Sequence, residues 1–109
     1  MENQPIKLQT GESIDPTIVR VMKGIKYAER DPNQDEWNQV GDKGAAKGAY
    51  QWNSVAGDGW ENSAKKILGD AKAPMTPENQ NKVAYYQIKA YKDAGHDPEE
   101  IAAIWNGAS

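Results

Sequence analysis

The chain has 109 residues, a formal net charge of −3 at pH 7 and no cysteine. This length suits one domain with a single core, and the absence of cysteine excludes disulfides, thiolate catalysis and cysteine zinc sites. The basic residues are scattered, so we predict no nucleic-acid-binding face, and no apolar run reaches the ~20 residues of a membrane span. We also expect no metal and no cofactor, because the only histidine, His96, lies in a turn between two predicted helices.

The first residues, 1–12, are polar and have no regular apolar period. We therefore predict a flexible N-terminal lead-in followed by one domain over 13–109. The lead-in lacks the basic and then apolar order of a signal peptide. If the protein acts outside the cytoplasm, we expect another route of delivery.

The first predicted helix begins at Asp15-Pro16, which is a capping acceptor followed by a proline at the first helical position. The helix is predicted to end near Arg30. Asp31 precedes Pro32, and the residue before a proline avoids the α region. A polar loop follows this helix.

Capping residues and glycines predict the boundaries of the later elements. The segment GAYQW at 48–52 is predicted as a short strand or a turn, and a short helix then ends at Gly69. A long helix lies between its cap Thr76 and Gly95, and a last helix begins at Asp97 with an acid three residues later, as in a capping box. The prediction is a mainly α, α+β fold with about four to five helices. A small irregular or β-hairpin region would carry a cleft.

Glu29 stands on the apolar side of the first predicted helix. At about 100° per residue it lies about 20° from Ile18, on the stripe that also holds Met22 and Ile25. Burial and the negative end of the helix dipole both disfavour the anion. A carboxyl group that stays protonated near neutral pH can act as the general acid of glycoside cleavage. A solvated glutamate at a helix end is the structural alternative.

A glycine-spaced run, GDKGAAKGAYQWN, occupies residues 41–53. It lacks the lysine and hydroxyl residue that end a phosphate loop. Gly48 is expected to let a ligand approach the backbone, and Gln51 offers both a donor and an acceptor for a sugar hydroxyl or N-acetyl group. The aromatic set of four Trp, five Tyr and no Phe also suits a sugar, because every ring has a polar edge. Core packing is the alternative for most of these rings.

The helix that ends in Glu29, the following loop, the run GD.G...G.YQ and the late A..WN.G resemble the lysozyme-like superfamily. The nearest types are lytic transglycosylase (SLT) domains and goose-type lysozymes. The resemblance covers about residues 14–107, with gaps of thirteen residues from Glu29 to Asp42, six to Gly48 and three to Gln51. It implies a lysozyme-like catalytic domain that cleaves the MurNAc-β-1,4-GlcNAc bond of peptidoglycan glycan strands.

The resemblance also implies roles for individual residues. Glu29 would be the general acid, and Asp42 matches the acid that helps to position water in goose-type lysozymes. The same motifs give a set of substrate-binding residues. These are Tyr50, Gln51, Trp52, Tyr86 and Asn106.

Several functions fit this pattern. With Glu29 as the one well-placed acid, the leading hypothesis is a lytic transglycosylase that forms 1,6-anhydromuramoyl products. The first alternative is an inverting lysozyme in which Asp42 positions water, although Asn53 stands where goose-type lysozymes carry a second aspartate. The second is an inactive lysozyme-like module that binds glycan or a partner protein, motivated by Arg30 in place of the usual serine. The third is a plain helical interaction domain with a solvated Glu29.

The loop after the first helix also has a calcium-like pattern. Asp31, Asn33, Asp35 and Asp42 fall at positions 1, 3, 5 and 12 of a calcium loop. Glu36 stands at position 6, where that pattern needs glycine, and position 12 is Asp rather than Glu. A calcium site is therefore the weaker prediction for this loop.

Overall fold

The computed structural model describes residues 13–55 and 58–106. Within these ranges the fold is mainly helical, as predicted, and a small three-stranded antiparallel sheet occupies the region predicted to be irregular or a β-hairpin. The predicted lead-in at 1–12 lies outside the described residues. The α-helices are α1 Pro16–Glu29, α2 Trp60–Leu68, α3 Pro77–Asp93 and α4 Pro98–Trp105, and the strands are β1 Val40–Gly41, β2 Ala46–Lys47 and β3 Trp52–Asn53. The loops before and after β1 each contain a single 3-10 turn, at Glu36–Asn38 and Asp42–Gly44. None of the helices in the described ranges is long and apolar enough to cross a membrane.

Side-chain caps set the starts of α1, α3 and α4, as predicted. The Asp15 carboxylate accepts a hydrogen bond from the backbone N–H of Thr17 at 2.9 Å, and Thr76 caps α3 by accepting from the N–H of Asn79 at 3.1 Å. Asp97 begins α4 with the predicted capping box. The glycines predicted to end α2 and α3 both have positive φ.

The three strands form an antiparallel sheet in the order β1-β2-β3. Gly41 pairs with Ala46, and Ala46 pairs in turn with Asn53. The segment predicted as a strand or a turn is both, since residues 48–51 turn and the strand begins at Trp52. This register brings the loop after β1 beside the end of β3.

The core lies where α1 and α4 pack on α3 and where the Tyr50–Trp52 region fills the space between them. Four rings meet edge to face with centroids 4.9 to 6.2 Å apart, namely Tyr50, Trp52, Trp60 and Trp105. Buried hydroxyls are hydrogen-bonded. Tyr50 donates to Asn81 Oδ1 at 2.6 Å, and Tyr85 accepts from the backbone N–H of Asp15 at 2.8 Å.

Gly48 has a different role from the one expected. Its φ is +88°, and a Cβ there would lie 2.7 Å from Gln80 Oε1 and 2.8 Å from Met75 Cε. The Gln80 oxygen accepts a hydrogen bond from the backbone N–H of Ala49 at 2.9 Å, so it cannot move away without losing that bond. The prediction of a ligand against Gly48 is wrong, because protein side chains fill the space.

Candidate active site

A cleft of about 350 Å³ opens between the end of α1, the small sheet and the helices α3 and α4. Three carboxylates line it, together with amide and aromatic side chains. Lysine, arginine and histidine are absent from the described residues of this lining. The described lining residues are Glu29, Asp42, Ala46, Gln51, Trp52, Asn53, Asp58, Gln87, Tyr91, Ile104, Trp105 and Asn106.

Glu29 is the last residue of α1 and is half-buried. The apolar stripe below it, Ile18, Met22 and Ile25, is buried, as the helical period predicts. Removal of water from around the carboxyl group raises the pKa of Glu29 above its ordinary value. The sequence prediction of a raised pKa is confirmed in direction, and burial is its cause.

A buried amide, Gln39, holds the end of α1 against the turn before β3. Gln39 is 2% exposed. Its Nε2 donates to the carbonyls of Glu29 at 3.2 Å and Gly48 at 3.3 Å. Its Oε1 accepts from the backbone N–H of Asp31 at 2.6 Å and from Arg30 Nη1 at 3.2 Å. Both N–H groups and both lone pairs of the amide are therefore satisfied, which fixes the backbone that carries Glu29.

Gln51 lines the cleft, and its backbone is in the left-handed region with φ of 54°. Its Nε2 donates to the carbonyls of Gly48 at 2.8 Å and Gln39 at 3.3 Å. Carbonyl oxygens only accept, so these contacts fix the orientation of the amide, and its Oε1 lies 2.5 Å from where a Cβ on Gly41 would be. Both N–H groups are in use. Gln51 can accept a hydrogen bond from a ligand but cannot also donate one, which corrects the sequence expectation.

Asp42 also lines the cleft. It is exposed and left-handed, with φ of 51°. Its Oδ2 accepts from Asn53 Nδ2 at 2.7 Å, and Asn53 Oδ1 accepts from the N–H of Val55 at 2.9 Å. Asp42 and Gln51 are two of the three non-glycine residues with positive φ in the described ranges, and Lys43 is the third. Backbone strain of this kind concentrates at functional sites.

The structure adds cleft residues that the sequence did not reveal, among them Gln87 and Tyr91 on α3. Trp52 is 4% exposed, and its indole Nε1 donates to Gln87 Oε1 at 2.9 Å. Gln87 and Tyr91 lie one turn apart on α3 and both reach the cleft. Their spacing of four residues places them on one face of α3 and is the only sign of the pair in the sequence. The sequence does not indicate that this face meets the cleft.

Two of the predicted substrate-binding residues do not reach the cleft. Tyr50 is 0% exposed, and burial raises the pKa of its phenol. The prediction that Tyr50 contacts substrate is therefore wrong. Its contribution is indirect, because its carbonyl accepts from Trp105 Nε1 at 2.8 Å and so anchors α4. Tyr86 packs against the core with its ring 5.4 Å from that of Tyr85, outside the described lining.

The carboxylates of the calcium-like loop have separate partners. Asp31 accepts from Gln34 Nε2 at 2.8 Å, and Asp35 accepts from Asn38 Nδ2 at 2.7 Å. Asp42 is held by the sheet instead, through Asn53. Among the residues in the described ranges, no three acidic, histidine or cysteine side chains gather where they could hold a metal. The structure does not bring the ligand pattern of a calcium loop together.

Comparison of the chain with models of protein families, with curated proteins and with solved structures gives no match. Five of the seven predicted site residues line this cleft: Glu29, Asp42, Gln51, Trp52 and Asn106.

Proposed function

We propose that the protein is a peptidoglycan-cleaving enzyme of the lysozyme-like type, a lytic transglycosylase acting on the MurNAc-β-1,4-GlcNAc bond. One observation carries the proposal. Glu29 has a pKa raised by burial and lines a cleft with Gln51, Trp52 and Asn106. A carboxyl group whose pKa is raised by burial, set among amide and indole groups, matches what a general acid needs beside a neutral sugar.

In the proposed reaction Glu29 first gives its proton to the glycosidic oxygen. The bond between that oxygen and C1 of the muramoyl residue breaks, and N-acetylglucosamine leaves with a free 4-hydroxyl. The muramoyl 6-hydroxyl then attacks C1 while the Glu29 carboxylate removes its proton. The product is a 1,6-anhydromuramoyl end, no water is consumed, and Glu29 recovers its proton. The attacking hydroxyl is already tethered to the reacting sugar, so one acid is sufficient.

An inverting lysozyme is the second candidate, and the presence of Asp42 in the same cleft favours it. In that reaction Asp42 would hold water on the face of the sugar opposite Glu29, with the carboxyls about 6.5–9.5 Å apart. Two features count against it. Asp42 is exposed on a loop, and one of its oxygens is occupied by the Asn53 amide.

A third candidate is a module that binds glycan or a partner protein without cleaving. Arg30, the departure from the family pattern that motivated it, does not block the cleft. Its Nη1 donates to the carbonyls of Asp31 and Gln34 and to Gln39 Oε1, and it is not among the described lining residues. The site of action that we propose is the cell envelope or the extracellular space. Delivery would be by a virion, a phage tail, a secretion machine or a longer exported chain.

Digestion of purified peptidoglycan tests the proposal. The wild type should release muropeptides that are one water lighter than hydrolysed ones, as measured by mass spectrometry. Glu29→Gln should lose at least about 100-fold of this activity, because glutamine keeps the shape and lacks the transferable proton.

Glu61→Gln is the matched control, since Glu61 is an exposed acid on α2 outside the described lining. This control should retain wild-type activity. If Glu29→Gln digests as fast as the wild type, the acid lies elsewhere. Peptidoglycan that stays intact with the folded wild type would favour the binding module.

A further inference from the structure

Gln87 has an amide group whose orientation is fixed from both sides. The indole N–H of Trp52 can only donate, so the atom 2.9 Å from it must be the oxygen Oε1. The nitrogen Nε2 then lies 2.8 Å from the hydroxyl of Ser63, which is 0% exposed. A flip of the amide would set two N–H donors against each other at the indole, so the observed orientation is retained.

This arrangement leaves one N–H of Gln87 available. A primary amide carries two N–H donors, and within the described residues Gln87 uses one of them, toward Ser63. Its side chain lines the cleft, and among the contacts within the described residues the second N–H is the donor of this amide that remains for a bound molecule. Gln51 has the opposite pattern. Its two N–H groups are in use and its Oε1 remains as an acceptor.

We propose that Gln87 is a specificity-determining residue that donates a hydrogen bond to the carbonyl oxygen of an acetamido group on the bound glycan. This inference rests on the proposed function, since it assumes a glycan in the cleft. An acetamido group supplies the acceptor that the fixed donor requires. A deacetylated amino sugar carries an ammonium group, which only donates, and would leave the N–H of Gln87 without a partner.

The test measures binding rather than cleavage, in a Glu29→Gln background that leaves oligosaccharides intact. N-acetylglucosamine oligomers and fully deacetylated glucosamine oligomers of the same length are titrated separately by calorimetry. Gln87→Glu is nearly isosteric, and its oxygens can accept from both the Trp52 indole and the Ser63 hydroxyl. It replaces the ligand-facing donor by an acceptor with negative charge.

Gln87→Glu should lower the ratio of acetylated to deacetylated affinity by at least about tenfold, because the acetamido carbonyl loses its donor and the ammonium gains an anion. Asn62→Asp is the matched control. It adds the same charge at an exposed position on α2 that is not among the described lining residues, and its ratio should equal that of the background.

Gln87→Met tests the same contact without added charge. Its affinity for acetylated oligomers should fall by about threefold to tenfold, the range of one neutral hydrogen bond, while deacetylated oligomers bind as before. An unchanged affinity ratio in folded Gln87→Glu, or unchanged acetylated affinity in Gln87→Met, would overturn this inference and leave the proposed function standing. A background protein that binds neither oligomer would overturn both.

Discussion

At the scale of single residues, Glu29 combines a position on a buried stripe with a position at a helix end. Both follow from its place beyond the apolar side chains of α1 at helical spacing, so its environment could be predicted from the sequence. Because burial disfavours the anion, the residue is costly for stability at neutral pH while being suited to proton transfer. This cost makes a stability measurement possible that does not depend on any activity.

We expect Glu29→Gln to raise the melting temperature at about pH 7 and to leave it nearly unchanged at about pH 3, where glutamate is protonated in both states. The pKa is raised in the folded state, so the unfolded chain ionises first as pH rises. The folded state is therefore penalised above the ordinary pKa of glutamate, and the penalty is complete once pH exceeds the raised pKa. Thermal unfolding of both proteins across this pH window measures the effect.

Glu61→Gln should behave in the opposite way. Glu61 is exposed in the first turn of α2, where the helix dipole favours the anion. Its replacement should hold or slightly lower the melting temperature at neutral pH. If Glu29→Gln is no more stable than the wild type at neutral pH, the burial of its carboxyl group is not costly, and the basis for a raised pKa is lost.

At the scale of elements, the turn between β2 and β3 depends on a glycine. Gly48 needs its positive φ and also the absence of a Cβ, because Gln80 and Met75 occupy that space. Gln80 in turn connects this turn to α3 and to the loop before β1, since its Nε2 donates to the carbonyl of Trp37 at 2.9 Å. The turn is therefore held by a side chain that is distant in sequence.

Two glycine substitutions separate backbone strain from side-chain collision. Gly44 has φ of +96° and nothing within 4 Å of a built Cβ, so Gly44→Ala carries the strain alone and should cost about 1 kcal/mol. Gly48→Ala adds the collision with Gln80 and should cost about 2–4 kcal/mol. Urea unfolding of both variants measures the difference. Equal costs would mean that the space around Gly48 can relax.

At the scale of the whole molecule, Asp42 is the residue that separates the two proposed reactions, transfer and hydrolysis. Asp42 and Glu29 both line the cleft. Glu29 belongs to the α1 helix, whereas Asp42 is exposed on a loop and has a left-handed backbone conformation. A general base must be held in a fixed orientation toward the water that it activates. The tethered muramoyl hydroxyl needs no such base.

Asp42→Asn should therefore slow peptidoglycan cleavage by less than about tenfold, well under the loss from Glu29→Gln. The products should still carry anhydro ends. Asparagine preserves the shape, so the hydrogen-bonding position toward Asn53 is kept while the charge is removed. Reducing-end products from the wild type, combined with an Asp42→Asn variant as inactive as Glu29→Gln, would identify a lysozyme instead.

Features that depend on neighbours along the chain could be predicted from the sequence. Helix starts at Asp15, Thr76 and Asp97 follow from side-chain caps and adjacent prolines, and the ends of α2 and α3 follow from glycines with positive φ. The position of Glu29 on the core side of α1 follows from a fixed helical period. All of these are local interactions, and a local pattern is sufficient to predict them.

Which polar and aromatic groups face the cleft is set by tertiary packing and could not be predicted from the sequence. Tyr50 and Trp52 are two residues apart in one motif, yet Tyr50 is wholly buried while Trp52 reaches the lining. The orientation of the Gln87 amide, and so the position of its N–H groups, depends on the hydrogen bond from Trp52, which is 35 residues away in the chain. Such contacts are set by how α3 packs on the sheet, and an amide in a polar segment gives no sign in the sequence of what will bind each of its atoms.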